Sequence, residues 1–407
     1  MKKRALGFPA GFKDPWVFAL TALLMAVIFF GVFSGAAPAA TADSNPVRPP
    51  EEELRALNLE RVEKEAGQLT ETVRSWAPEI SFHQLVVDML QGKIELSPSR
   101  VIGVLGRYFW GEVWGGAVLL GKILILSIIL AVLQQLSAAF ERTSTSQMAY
   151  YVCFLALAAL AATTLGIAID IGRDAVDGMV SFIQALLPVL LTLLAATGGV
   201  TTAAILHPTI LGTLGVIGTL VKNVVLPLIT FGVLLGFIDR LSDDLQVSRL
   251  AVLLRNTGLA VLGVVSTAFI GVLTVQGVAG TVASGVALRT ARYATGAFIP
   301  VVGGMLADAF EAVVGTSLLL KSAVGLAGIV IIFFAIALPA IKLLALSTIF
   351  KVSAALVQPL EGRMAATLDG MGAGLLGVFA VVATVGLLCF FAVAVVVGLG
   401  YLTTMIR

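Results

Sequence analysis

Long apolar runs separated by short polar segments fill the chain from about residue 117 onward. A run of about 20 apolar residues is long enough to cross the hydrocarbon core of a bilayer as a helix. We therefore expect spans near 117–139, 149–169, 250–273, 322–338 and 371–401. A polar connection is expected after 169. The region from 179 to 238 contains further apolar runs that prolines and glycines interrupt. In all, the pattern predicts about seven spans.

The first 42 residues have the order of a secretory signal. A basic start is followed by an apolar run at 16–32 and by small residues with A-x-A patterns at 37–42. This order is typical of a cleaved signal, and an uncleaved anchor helix is the alternative. In either case we expect the residues after about 43 to begin outside the cytoplasm.

Residues 43–116 form the one segment with a soluble composition. Apolar residues at helical spacing predict an amphipathic helix over 51–74, a second helix over 82–91 and a third that begins at Ser97-Pro98. We interpret this segment as a small extracytoplasmic helical domain. The polytopic membrane domain then covers 117–407.

Within the membrane domain, residues 275–321 combine many Gly, Ala, Ser and Thr residues with five charges. Small residues allow helices to approach closely. Polar chain at membrane depth is tolerated only where protein or water surrounds it. We therefore expect this stretch to line a contact or a cavity between helices, or to lie on the membrane surface, and not to face lipid.

Charged residues in this stretch form two pairs at helical spacing. Arg289 and Arg292 are three positions apart, as are Asp308 and Glu311, so each pair would share one helix face. Three interpretations stay open: interfacial snorkelling, ion pairing between the two faces, and a polar lining of a pathway. His207, next to Pro208, either marks a helix end or lines such a pathway.

The sequence also suggests an internal repeat. Pro188 and Pro300 lie 112 positions apart in similar contexts, and so do Pro227 and Pro339. Paired, proline-interrupted helices in matching parts of a membrane protein often flank a pathway. The hypothesis is that 180–240 and 292–352 are equivalent broken-helix hairpins.

Composition supports an all-α polytopic integral membrane protein. Of the 407 residues, 58% are hydrophobic and 12% are charged, whereas soluble domains carry roughly 25% charged residues. The net charge of +2 says nothing about nucleic-acid binding, but the sequence contains no basic stripe with interleaved aromatics that would indicate it. Motifs for nucleotide binding, zinc proteases or serine hydrolases are absent from the sequence, so we expect no catalytic, cofactor or metal site.

Four stretches resemble the stage III sporulation protein AE family of endospore-forming bacteria. They are GGVTTAAILHP (198–208), LRNTGLAVLG (254–263), VQGVAGTVASGVALRTARYATGAFIPVVGGMLADA (275–309) and SLLLKSAVGLAG (317–328). The resemblance runs from about 76 to 407 and implies no catalytic residues. The positions that it favours as helix contacts or pathway residues are Gln276, Gly277, Arg289, Thr290, Gly296, Pro300, Gly303, Asp308 and Lys321.

The resemblance implies a multi-pass protein of the mother-cell membrane around the engulfed forespore. Such a protein is a non-enzymatic component of a transenvelope channel complex with other stage III sporulation proteins, and we expect it to be a homo-oligomer. Two other functions remain open: a stand-alone secondary transporter, which would have an enclosed polar site at mid-depth, and a structural membrane scaffold.

Overall fold

Helices make up almost all of the part of the protein that the computed structural model describes, residues 59–74, 81–91, 98–139, 144–241, 247–298 and 303–405. The helices are α1 (Glu60–Arg74), α2 (Phe82–Leu90), α3 (Pro98–Gly115), α4 (Ala117–Ala139), α5 (Ser144–Ala196), α6 (Val200–Leu220), α7 (Leu226–Leu241), α8 (Ser248–Phe298), α9 (Gly303–Val357) and α10 (Gly362–Met405). The predicted all-helical membrane class is confirmed. Six candidate spans lie in the described residues, close to the predicted seven. The predicted signal, 1–42, lies outside these residues.

Several helices are longer than the apolar runs suggested. Helix α5 has 53 residues and continues through the charged positions 170–177, where we expected a connection. That expectation was wrong because Asp170, Arg173, Asp174 and Asp177 recur at helical spacing on one exposed face. A helix can therefore carry all four charges without burying any of them.

Prolines lie inside the long helices and do not end them. The helices run through Pro188, Pro208 and Pro339, where we expected interruptions. A proline removes one backbone hydrogen bond, which packed neighbouring helices tolerate. A π-helical turn, Val221–Val225, joins α6 to α7 just before Pro227.

A three-residue turn at 197–199 separates α5 from α6. Gly198 has a φ of 96° there, a conformation that favours glycine. At the 112-residue offset this turn corresponds to 309–311, which lie inside α9. The two segments of the suggested repeat thus differ in their helix boundaries. Pro300 lies outside the described residues, so its equivalence to Pro188 stays a prediction.

Helix α10 packs antiparallel to α9 and also contacts α5, α7 and α8. A Cβ added at Gly386 would lie 2.2 Å from Ile336, and one at Gly325 would lie 2.2 Å from Val397. Glycine thus lets the two helix axes approach closely along most of their length.

Helices α6 and α7 together run antiparallel to α8. Gly232 lies against Ala251, and Gly258 lies against Val225. We call the end of the bundle where α7 ends and α8 and α10 begin the lower end, since these three helices share a cleft there. The end with the turn at 197–199 is the upper end.

Helix α1 packs against α5 and α9, and α2 packs mainly against α9. A Cβ at Gly178 would lie 2.6 Å from Leu69, and the rings of Phe82 and Phe182 meet edge to face at 6.4 Å. The charged side chains of α1, among them Glu63 and Lys64, remain exposed. The boundaries predicted for the extracytoplasmic segment, 43 and 116, stay a prediction.

Candidate functional site

Hydroxyl groups join α6 to α8 near the upper end. The Ser284 and Thr202 hydroxyls share a 2.8 Å hydrogen bond, and the Thr202 N–H donates to Ser284 Oγ at 3.1 Å. Both side chains are buried. A Cβ at Gly280 would lie 3.1 Å from the Cα of Thr202, so glycine permits this close contact. Nothing in the sequence pattern marked Thr202 or Ser284 as functional, although a hydroxyl one turn from glycine in an apolar run is a signal for such a contact.

Gln276 and Gly277, near the start of the 275–321 stretch, lie in helix contacts. The Thr209 hydroxyl donates to Gln276 Oε1, which adds a second polar link between α6 and α8. Gly277 faces α10, where an added Cβ would lie 3.5 Å from Leu399. These contacts are structural, because they satisfy polar groups between packed helices.

Lys321 is the most unusual of the predicted residues. Its side chain lies in α9 with no exposed surface, and within the described part of the protein its Nζ has no hydrogen-bond partner. One turn further on, Gly325 packs against Val397 of α10. A buried amine costs free energy unless it is paired, so such groups in membrane bundles mark functional positions more often than chance.

Most of the predicted charged residues lie where side chains are not described. Arg289, Arg292 and Gly296 belong to α8, and Gly303, Asp308 and Glu311 belong to α9. Pro300 lies outside the described residues. The pairing of these charges therefore stays a prediction. Thr290 is exposed, and its hydroxyl donates to the Val286 carbonyl oxygen one turn earlier.

His207 is exposed and lies inside α6, which continues beyond Pro208. It therefore does not mark a helix end. Among the described residues, no three His, Cys, Asp or Glu side chains come close enough to hold a metal ion.

Two carboxylates at the lower end accept hydrogen bonds from backbone N–H groups at helix starts. Asp239 Oδ1 accepts hydrogen bonds from the Val247 and Ser248 N–H groups at 2.8 and 2.7 Å, which fixes the start of α8. Glu361 Oε2 accepts from the Met364 N–H at 2.5 Å and caps α10. The sequence signal for the Glu361 cap is an acidic residue three positions before the first apolar residue of the helix.

A cleft of about 110 Å³ lies between these helix starts. Arg240, Arg255 and Thr367 contribute to its lining. Arg240 crosses close to α10, because a Cβ at Gly370 would lie 2.8 Å from its guanidinium group.

Comparison with known proteins agrees with the resemblance seen in the four sequence stretches. A family model described as stage III sporulation protein AE matches residues 80–400. The stage III sporulation protein AE of Bacillus subtilis (strain 168) is 39% identical over 323 residues, which cover 79% of this chain and 81% of that protein. No solved structure matches the chain.

Proposed function

This chain belongs to the stage III sporulation protein AE family, and we propose that it is a non-enzymatic membrane component of the transenvelope channel complex between mother cell and forespore. The family match over 80–400 carries the proposal, and the six candidate spans suit a multi-pass component of the membrane around the forespore. Other stage III sporulation proteins and further copies of the chain are its proposed partners.

The buried amine of Lys321 also favours a second candidate, a stand-alone secondary transporter. A transporter needs polar groups that converge on a substrate at mid-depth. Among the described residues, no polar group joins the Lys321 amine by a hydrogen bond, so a converging set of polar groups is not seen there. We therefore regard the transporter as the weaker candidate.

Complementation tests the proposed function. A Bacillus subtilis strain that lacks its stage III sporulation protein AE would express this chain with a fluorescent tag. We expect heat-resistant spores to return and fluorescence to encircle the forespore. Gly386→Leu, which disturbs the α9–α10 contact, serves as the folding-defective control.

Failure to restore spores, with the chain present at normal level in the membrane around the forespore, would contradict the channel role in that host. Uptake of a solute by the purified chain in vesicles would instead support the transporter.

A further inference from the structure

The cleft at the lower end opens where α7 and α8 diverge. The two helices touch at Gly232, where an added Cβ would lie 2.8 Å from the Ala251 carbonyl oxygen. One turn further along α7, no atom lies within 4 Å of a Cβ built at Gly236. Both glycines line the cleft of about 110 Å³. The cleft thus includes the space that a side chain at position 236 would occupy.

Two arginines reach this cleft from opposite ends. Arg255 of α8 lies at its top, since its Cβ is 3.3 Å from the place that a Cβ would take at Gly232. Arg240 of α7 lies eight positions beyond Gly232, which is about 12 Å along a helix. Side chains of a helix lean toward its N-terminus. Because α7 runs toward the lower end and α8 runs away from it, the two side chains lean toward each other, and both line the cleft.

Neither guanidinium group has a partner in the part of the chain that the structure describes. No ion pair or hydrogen bond joins Arg240 or Arg255 to a described residue. Of the described residues that line the cleft, only Asp239 is acidic, and its Oδ1 already accepts two backbone N–H groups at the start of α8. Asp369 of α10 interacts with Arg240 through space, but it is exposed and does not line the cleft. Two positive charges therefore converge on open space beside one carboxylate.

A pair of guanidinium groups in this arrangement suits an oxyanion. Each group presents a planar fork of N–H donors that matches two oxygens of a phosphate group. The Thr367 hydroxyl, which also lines the cleft, donates to the Arg363 carbonyl oxygen of its own helix, so the arginines are the donors that remain for a ligand. The cleft is smaller than the roughly 300 Å³ of a pocket for a drug-sized molecule. It therefore suits one phosphate group and not a whole nucleotide.

We propose that the cleft between α7, α8 and α10 is an anion-binding site in which Arg240 and Arg255 hold one phosphate group. Both side chains are partly exposed, so such a group can enter from outside. A soluble phosphate and the headgroup of an anionic phospholipid share this chemistry. Because the two arginines belong to different helices, the bound group links α7 to α8 and stabilises the folded chain. The site does not depend on the proposed channel role.

Thermal unfolding of the purified full chain in a neutral detergent tests this site. The probes are sodium phosphate and dihexanoyl phosphatidylglycerol, each compared with sodium chloride at equal ionic strength. A molecule that binds the folded state raises the unfolding midpoint as its concentration rises, and we expect this rise with at least one probe. A rise with phosphate alone identifies a soluble ion as the ligand, and a rise with the lipid alone identifies a headgroup. A rise with both shows that the phosphate group itself is recognised.

Variants locate the binding. Arg255→Gln should raise the apparent dissociation constant by about tenfold or more, because a charge-assisted hydrogen bond is lost. Arg240→Gln should do the same and replaces that variant if it does not fold. Gly236→Leu places a side chain in the open space of the cleft, so it should abolish the rise and leave the midpoint without ligand nearly unchanged. Arg249→Gln is the matched control, because Arg249 is exposed at the same end of the bundle but does not line the cleft.

Three outcomes would overturn the proposal. The first is no rise with either probe beyond that of sodium chloride. The second is a rise that persists in full in folded Gly236→Leu or in the folded arginine variants. The third is an equal loss of binding in Arg249→Gln, which would show general screening of positive charge and not a site. Helical circular dichroism before heating identifies the folded variants. These measurements involve no spores, so their outcome is independent of complementation.

Discussion

Helices α10 and α8 have similar sequences and opposite surroundings. Each has a long run without charges, from 370 to 405 in α10 and from 256 to 288 in α8, and both are rich in Val, Gly and Ala. Yet most residues of α10 are buried between α5, α7, α8 and α9, whereas α8 exposes valine along much of its length. Apolar composition thus does not reveal whether protein or another medium covers a helix.

Glycines show the difference best. In α10, Gly386 and Gly374 touch neighbouring side chains so closely that an added Cβ would lie 2.2 Å from Ile336 or Val233. In α8, Gly263 and Gly271 face open space. The first pair fixes the packing within one chain, and the second pair takes no part in it.

The largest expected loss of stability comes from placing a larger side chain at a glycine of α10 that contacts α9. Gly386→Leu should lower the free energy of unfolding by about 3 kcal/mol or more, because both γ carbons of Ile336 occupy the needed space. The midpoint of thermal unfolding in detergent measures the loss.

Gly271→Leu in α8 is the matched control for this substitution. It should leave that midpoint unchanged or slightly raised, because leucine is the better helix former. Equal losses for both variants would contradict the distinction between the two helices.

Removal of the buried amine in α9 should have a smaller effect of opposite sign. Lys321→Met keeps the approximate volume of the side chain and removes a polar group that has no hydrogen-bond partner in the described residues. We expect the free energy of unfolding to rise by about 1–3 kcal/mol.

Lys342→Met is the control, since Lys342 is only partly buried and should show little change. A destabilised Lys321→Met protein would show instead that the amine has a partner in the folded chain. Loss of spore formation by a stabilised variant would identify Lys321 as functional.

The sequence was sufficient to predict the class of the fold, because apolar runs of 20 residues have one solution in a membrane. It was not sufficient for the helix lengths. The charges at 170–177 suggested a connection, although their spacing also suits one face of a helix, and the structure has a continuous helix there.

The candidate site was predicted to a similar extent. Small residues in 275–321 indicated a contact or cavity between helices, or a place on the membrane surface, and the structure places Gln276 and Gly277 in helix contacts. The partner helix was not predictable, since Thr202 and Ser284 are 82 positions apart and hydroxyls occur throughout the apolar runs. Burial of Lys321 likewise depends on packing against distant segments.

The hydroxyl contact between α6 and α8 should contribute modestly. Ser284→Ala removes the bonds to the hydroxyl and the N–H group of Thr202 and should cost about 1 kcal/mol. Thr274→Ala in the same helix should cost less, because Thr274 bonds only to the Ile270 carbonyl oxygen of its own helix. Equal effects would mean that the contact between the helices adds nothing to stability.

The smallest effect is expected at the ion pair between Asp177 of α5 and Lys222 of the π-helical turn. Asp177 and Lys222 are partly exposed, and exposed ion pairs gain little because water and salt screen them. A double-mutant cycle with Asp177→Asn and Lys222→Met should give a coupling energy below about 1 kcal/mol that falls as salt is added. A larger coupling that does not change with salt would contradict the solvent-exposed character of this pair.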